Sequence, residues 1–176
     1  MTEGQVAARE WRMLPAEQVR TLARQLIDVE PMLHQAEAAQ ILARLGWRPG
    51  ADGGRIRSVM LVDSGLGLTG YPGKLWLDRE DRSRVASISA AVCDNVTPPT
   101  PAAAPFLRDA FALATRALAE SFGPPTHAES GEDPEVSWRM EVLTLTLRTS
   151  PTTVTLVLER NSDLDLAAEM SAYEQP

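Results

Sequence analysis

The chain has 176 residues, of which 44% are hydrophobic and 23% charged, and its formal net charge is −7. This length suits one domain with one core, and no apolar run reaches the about 18 residues that cross a bilayer. Residues 1–12 contain no apolar stretch typical of a signal peptide. We therefore predict a cytoplasmic protein that does not bind membranes. The single cysteine, Cys93, excludes an internal disulfide.

The negative charge is concentrated in the last third of the chain. Residues 1–125 contain 14 acidic and 14 basic residues, whereas residues 126–176 contain ten acidic and three basic ones. An acidic surface repels nucleic acid and attracts cationic partners, although an acidic excess also serves solubility. If these charges serve binding, the partner is a basic protein, and no nucleic acid is expected.

Two helices are predicted near the N-terminus. Pro15 suits the first turn of a helix, because its missing N–H has no partner there. One apolar stripe follows at helical spacing, formed by Val19, Leu22, Leu26 and Val29. A second helix is predicted from about His34 to Leu45, and Gly46 follows it where a left-handed C-terminal cap belongs.

The next segment predicts a meander of antiparallel strands. Alternating residues indicate strands over 56–62, 74–78 and 85–92. Between the first two, Gly65, Gly67 and Gly70 match the G-x-G-x-x-G pattern of dinucleotide-binding proteins. That fingerprint requires a helix after the third glycine, but a Tyr-Pro-Gly turn follows here. We therefore predict tight turns and no cofactor.

The second half of the chain is also predicted to form a helix followed by a hairpin. The proline-rich segment 97–105 is predicted to be an internal crossover, followed by a helix over 106–122. Residues 126–134 are predicted to be a mobile acidic loop. Alternation then predicts a hairpin near 135–160, and a final short helix begins near Asn161.

These elements predict an α+β fold with the order α-α-β-β-β(-β)-α-β-β-α. The strands cluster in hairpins, so the sheet is mainly antiparallel, with the helices packed on it. Residues 1–10 are predicted to be a flexible tail and residues 11–176 a single domain. The expected core includes Trp47, Phe111, Trp138, Leu145 and Leu156.

No residues of a catalytic or metal site are predicted. His34 and His127 have no sequence neighbours that would form a triad or a metal site with them. Trp76 points away from Leu75 and Leu77, so it is either covered by a helix or exposed as a binding anchor. The predicted partner-binding residues are Glu129, Glu132, Asp133, Glu135, Asp163, Asp165 and Trp76. The loop acids are expected to form one cluster, which the two aspartates may join.

Four segments resemble an uncharacterised family of small actinobacterial proteins over about residues 10–160. They are Glu10-Trp-Arg-Met-Leu-Pro15, Leu45-Gly-Trp47, Leu118-Ala-Glu-Ser-Phe-Gly-Pro124 and Val136-Ser-Trp-Arg139. The resemblance implies no activity and no catalytic residues. Small cytoplasmic α+β proteins of this type are similar to immunity proteins of polymorphic toxin systems.

Two functions follow as hypotheses. The first is a non-enzymatic inhibitor of the immunity or antitoxin type, whose acidic surface fills a basic toxin site. The alternative is a small acidic secretion chaperone or adaptor that acts as a dimer. Oligomeric state separates the two, because the chaperone requires a stable homodimer, whereas the inhibitor can act as a monomer.

Overall fold

The computed structural model describes residues 10–51, 55–70 and 72–173. The predicted N-terminal tail lies outside the described residues, except for Glu10. The described elements are four α-helices and nine strands, with all strand pairings antiparallel. The predicted α+β class and mainly antiparallel sheet are confirmed.

The four helices are α1 (Ala16–Asp28), α2 (Ala38–Leu45), α3 (Ala104–Phe122) and α4 (Asn161–Tyr173). The predicted apolar stripe of α1 is buried. No helix in the described ranges combines the length and the apolar character that crossing a membrane requires.

The second helix starts later than predicted. It begins at Ala38, because the Glu37 backbone N–H donates to the Gln40 side chain at 2.9 Å and fixes the first turn there. His34 lies before the helix in a left-handed conformation, with φ 62. The prediction that the second helix begins at about His34 was therefore wrong. The predicted cap is confirmed, since Gly46 has φ 70 at the end of α2.

The strands form one sheet. They are β1 (Arg48–Pro49), β2 (Arg55–Ile56), β3 (Val59–Asp63), β4 (Gly73–Leu77), β5 (Val85–Ala91), β6 (His127–Glu129), β7 (Glu135–Arg139), β8 (Leu143–Thr149) and β9 (Val154–Arg160). Their spatial order is β1-β3-β4-β5-β9-β8-β7-β6, and β2 also pairs with β3. The pairing of β5 with β9 therefore joins the strands before α3 to those after it.

Three local predictions were wrong. The single strand over 56–62 is a hairpin, because Arg57 adopts φ 55 and reverses the chain between β2 and β3. The acidic segment 126–134 is not all loop, since β6 pairs with β7 at the edge of the sheet. Phe111 is only half-buried, because α3 faces the core mainly with Leu107, Ala110, Ala114, Ala117 and Leu118.

In its described residues, the glycine-rich segment between β3 and β4 does not have the geometry of a nucleotide-binding turn. Gly65, Gly67 and Gly70 have φ values of 72, 72 and 87, which glycine adopts at low cost. The next described element after them is β4 and not a helix. Two loop contacts fix the segment: Arg12 donates to the Gly67 carbonyl, and the Thr69 N–H donates to Asp94.

One face of the sheet carries the core. Alternate side chains of β5, β8 and β9 point to this face, and α1 and α3 pack on each other and on β9, with α3 also against β8. Its members in the central strands are Ile88, Ala90, Leu145, Leu147, Leu156 and Leu158, all fully buried. The other face is left without a helix over most of its width.

Gly73 begins β4 at a point where no side chain fits. A Cβ atom there would lie 2.7 Å from Val62 Cγ2 and 3.0 Å from Trp47 Cζ3. Both neighbours are buried, so neither can move without disturbing the core. The absence of a side chain at Gly73 therefore allows Trp47 to pack on the sheet.

We expect Gly73→Ala to lower the free energy of unfolding by about 1–3 kcal/mol, because the added methyl overpacks the site. Urea unfolding measures the change. Lys74→Ala, on an exposed neighbour in the same strand, is the control and should change it by less than about 0.5 kcal/mol. Equal effects of the two substitutions would contradict this account of Gly73.

Candidate functional site

The face of the sheet opposite α1 and α3, called here the open face, carries polar and small side chains. Strand registers align one row of them across six strands. The row consists of Lys74 on β4, Ser89 on β5, Val157 on β9, Thr146 on β8, Ser137 on β7 and His127 on β6. Short side chains fill the middle of the row and charged or titratable ones stand at its ends.

The middle of this row is buried although no core lies above it. Ser89, Thr146 and Ser137 are between 4% and 8% exposed. Glu159 and Arg148 lie on the same face, each two residues along its strand from Val157 or Thr146. The open face is therefore a trough with a floor of hydroxyl groups.

Trp76 stands on the open face near one end of the trough and is 42% exposed. It pairs with Ser87 on β5, and the Ile88–Leu158 pair places Ser87 beside Glu159 on β9. Two strand spacings separate the Cα atoms of Trp76 and Glu159, about 10 Å. An indole and a carboxylate thus share this face.

The trough contains a hollow of about 310 Å³ that opens to solvent. Its walls and floor include Ser137, Arg139, Thr144, Thr146, Arg148 and Glu159, and Leu164 on α4 borders it. Hydroxyl groups and charges of both signs thus meet in one concave site.

Glu159 is the carboxylate of the hollow without a hydrogen bond to another described residue. Burial raises its pKa, the Arg148 charge lowers it, and the charges of Glu135 and Asp163 raise it further; the net pKa lies above the usual value. Burial therefore makes the ionised form of Glu159 less favourable here than in water.

Most of the predicted partner-binding acids have basic partners inside the protein. Within the described ranges, the pairs are Glu129–His127 at 3.4 Å, Glu135–Arg148 at 3.2 Å, Asp163–His34 at 2.7 Å and Asp165–Arg139 at 2.9 Å. Glu132 and Asp133 are exposed in the turn between β6 and β7, and the described residues offer them no such partner.

The structure does not bring all these acids together. Glu129 and Glu135 are directly opposed across β6 and β7, and the turn with Glu132 and Asp133 joins those strands. Asp165 instead contacts Arg139, at the other end of β7. Four residues of strand separate the two groups, about 13 Å, so Asp163 and Asp165 do not join the loop cluster.

His34 links the start of α4 to the β4–β5 turn. Its Nδ1 contacts Asp78, and its Nε2 lies 2.7 Å from Asp163. Partial burial lowers the His34 pKa, but the hydrogen bonds and charges of Asp163 and Asp78 raise it more, so the net pKa lies above 6.5. The hydrogen bond from His34 also lowers the pKa of Asp78.

This arrangement is a structural bridge. The two carboxylates lie on opposite nitrogens of the ring, so the three side chains cannot converge on one ion. Within the part of the chain that the structure describes, no group of three histidine, cysteine or acidic side chains could hold a metal.

Beyond its first turn, α4 has little contact with the rest of the protein. Every residue from 165 to 173 is exposed, including Leu166, Met170 and Tyr173. These three recur at helical spacing and form an apolar stripe. A helix of this length is only marginally stable on its own in water. Contacts with the rest of the described protein do not account for the apolar stripe on α4.

The profile of a family of unknown function, DUF6301, matches residues 17–160. The chain belongs to DUF6301. The predicted resemblance to an uncharacterised family is therefore confirmed, and membership in DUF6301 assigns no activity. No curated protein matches this DUF6301 chain.

A solved structure similar to the DUF6301 chain is the crystal structure of a DUF4309 family protein (YjgB) from Bacillus subtilis subsp. subtilis str. 168. The two chains are 13% identical, with a TM-score of 0.49. The match covers 84% of the DUF6301 chain and 98% of the other.

Sequence reasoning missed the hydroxyl floor and Glu159. The alternation of the final hairpin places Glu159 on the face opposite Leu156 and Leu158, so its face of the sheet could be predicted from the sequence. Its spatial neighbours could not be predicted, because they lie on β7 and β8 and depend on the strand register. The partners of His34 lie 44 and 129 residues away, beyond any local pattern.

We expect His34→Asn to lower the free energy of unfolding by about 1–2 kcal/mol near pH 5.5, because asparagine tolerates the left-handed backbone but does not bridge the two carboxylates. The folded pKa of His34 is raised, so the bridge contributes fully below the unfolded value of 6.5 and is lost as pH rises through the folded pKa. The difference from the wild type should therefore shrink toward about pH 9 in urea unfolding.

His127→Asn is the matched control, since the His127 side chain is exposed and, among the described residues, forms an ion pair only with Glu129, at 3.4 Å. It should change the free energy of unfolding by less than about 0.5 kcal/mol at either pH. A loss in His34→Asn that stays constant with pH would contradict the charged bridge.

We expect Glu159→Gln to raise the melting temperature near pH 7, because glutamine removes an ionised group that burial disfavours. The folded pKa of Glu159 is raised, so its cost to stability appears as pH rises above 4.5. The gain should therefore vanish near pH 4 in calorimetry, and exposed Glu80→Gln should show no gain. A lower melting temperature in Glu159→Gln would show that the carboxylate has a stabilising partner.

Proposed function

We propose that this protein is a non-enzymatic protein-binding protein that holds a basic segment of its partner on the open face of the sheet. The observation that carries the proposal is the trough itself. It combines a hydroxyl floor, an exposed Trp76 and a carboxylate, Glu159, that forms no ion pair among the described residues. Tryptophan is among the residues that most often anchor a binding partner.

The dimensions of the trough favour a polypeptide over a small molecule. The row from Lys74 to His127 crosses six strands, a distance of about 24 Å at the usual strand spacing. An extended chain of about seven residues covers that distance. Backbone amides of such a segment would find partners in the hydroxyl groups of the floor.

The charge distribution favours a basic segment. The excess of acidic residues lies wholly in residues 126–176, which supply β6 to β9 and α4. Glu132 and Asp133 have no basic partner in the described structure, so their field is available for steering a cationic partner. The other predicted acids remain part of the surface although they are ion-paired.

A finer version of this proposal is an inhibitor of the immunity type in the cytoplasm, whose partner is a toxin with a basic active site. It is supported by the acidic last third of the chain and by the likeness in type to such proteins. The trough would then receive a basic loop of the toxin and prevent it from contacting its anionic substrate.

A second function, a dimeric secretion chaperone or adaptor, is favoured by α4. Its apolar stripe of Leu166, Met170 and Tyr173 is exposed in the single chain and would be buried in a dimer. Sedimentation analysis separates the two functions, because a stable dimer dissociated by Leu166→Asp and Met170→Asp favours the adaptor. A monomer favours the inhibitor.

The proposal predicts how a partner isolated from the source organism associates. We expect Trp76→Ala to weaken binding by about tenfold or more through faster dissociation, as loss of an aromatic anchor does. Reversal of Glu132 and Asp133 to lysine should slow association, with the largest effect at low salt, because screening acts over about 8 Å at physiological ionic strength. Surface plasmon resonance across salt concentrations measures both.

The control reverses Asp28 and Asp109, which lie exposed on α1 and α3 away from the open face. This control changes the net charge by the same amount as the reversal of Glu132 and Asp133. It therefore separates the effect of those two charges on association from the effect of the overall net charge. An acidic partner, or association indifferent to salt and to the loop reversal, would exclude steering by these acids. Binding unaffected by Trp76→Ala would contradict the use of the open face.

A further inference from the structure

The hollow contains two hydroxyl groups that the described protein does not use. Ser137 is 8% exposed and Thr146 is 4% exposed, and both line the hollow. Their hydroxyl groups have no hydrogen-bond partner among the described residues, whereas the neighbouring Thr144 hydroxyl donates to Asn161 at 2.7 Å. Both hydroxyl groups are therefore able to donate or accept a hydrogen bond to a group that enters the hollow.

The ion pairs around the hollow leave one carboxylate unpaired. Arg148 pairs with Glu135 at 3.2 Å, and Arg139 pairs with Asp165 at 2.9 Å. Glu159 then forms no ion pair among the described residues, although the charge of Arg148 acts on it. A cationic group is therefore the complement of this site, whereas an anion would have to displace a carboxylate from an arginine.

The number and arrangement of acceptors favour a guanidinium group. Glu159 offers two carboxylate oxygens, and Ser137 and Thr146 add one hydroxyl oxygen each. A guanidinium group presents five donors in a planar fork, whereas an ammonium group presents three around a point. Leu164 at the border of the hollow can contact the apolar stem of an arginine side chain.

We propose that the hollow receives an arginine side chain of the bound partner segment, with Glu159 pairing with the guanidinium group and Ser137 and Thr146 accepting its remaining hydrogen bonds. This inference rests on the proposed function and identifies the type of partner residue that the hollow binds. It also gives a role to the Glu159 carboxylate, which lines the hollow without forming an ion pair among the described residues.

The test is an NMR titration of the isotope-labelled full chain with acetyl-arginine amide. We expect shifts at Ser137, Thr146 and Leu164, and a response at least about tenfold weaker with acetyl-citrulline amide, which has nearly the same shape without the charge. Nα-acetyl-lysine amide, which carries a free ammonium group, should bind more weakly than the arginine probe. Equal binding of the citrulline probe would overturn the charge pairing, and preference for the lysine probe would overturn the guanidinium assignment.

Glu159→Gln should weaken binding of the arginine probe by at least about tenfold, and Glu80→Gln should leave it unchanged. Far-ultraviolet circular dichroism confirms that both variants fold. Unchanged binding in Glu159→Gln would overturn the proposal. Tighter binding of free L-arginine than of the capped probe would also overturn it, because it would indicate a free ligand and not a side chain.

Partner binding separates this inference from the proposed function. If the partner binds through Trp76 but Glu159→Gln binds it as tightly as the wild type does, the hollow is not the anchor and the proposed function stands. If the arginine probe binds the hollow but partner binding is indifferent to both Trp76 and Glu159, the assignment to a partner side chain is overturned together with the use of the open face.

Discussion

The pairing of β5 with β9 is the constraint on which the rest of the structure depends. It joins strands that are about 70 residues apart in the chain and makes one sheet from two meanders. Its register directs Ile88 and Leu158 toward the helices and Ser89 and Val157 toward the open face. A shift by one residue would exchange the two faces and place serine and threonine in the core. The same backbone pairing therefore creates both the core and the trough.

The two faces of the sheet differ in what they contribute. The helix-covered face is filled by leucine, isoleucine and alanine and supplies the stability of the fold. The open face retains features that do not serve the core: hydroxyl groups that line a hollow, an exposed indole and a carboxylate whose pKa burial raises. Proteins tolerate such features where a ligand or partner compensates for them. His34 fixes the start of α4 beside this face, so the hollow has a defined border at Leu164.

Local patterns in the sequence predicted elements better than they predicted the site. The stripe of α1, the cap at Gly46 and the hairpin of β8 and β9 depend on neighbours within a few residues, and all were predicted. The strand β6 was not, because it is an edge strand of three exposed residues, too short to show a pattern in the sequence. The hollow could not be predicted, since Ser137, Thr146 and Glu159 come together only through the registers of three strands. Trp76 was singled out from alternation alone, but its exposure depended on where the helices pack.

The use of the open face is the central claim, and fluorine NMR of the chain labelled with 5-fluorotryptophan tests it most directly. The protein has four tryptophans, of which Trp47 and Trp138 are buried, Trp11 packs against Phe106 and Trp76 is exposed on the open face. Trp76→Phe assigns its resonance. On addition of the partner, the account predicts that the Trp76 resonance shifts and loses its solvent isotope effect while those of Trp47 and Trp138 stay in place. A bound partner that leaves the Trp76 resonance unchanged would contradict the account.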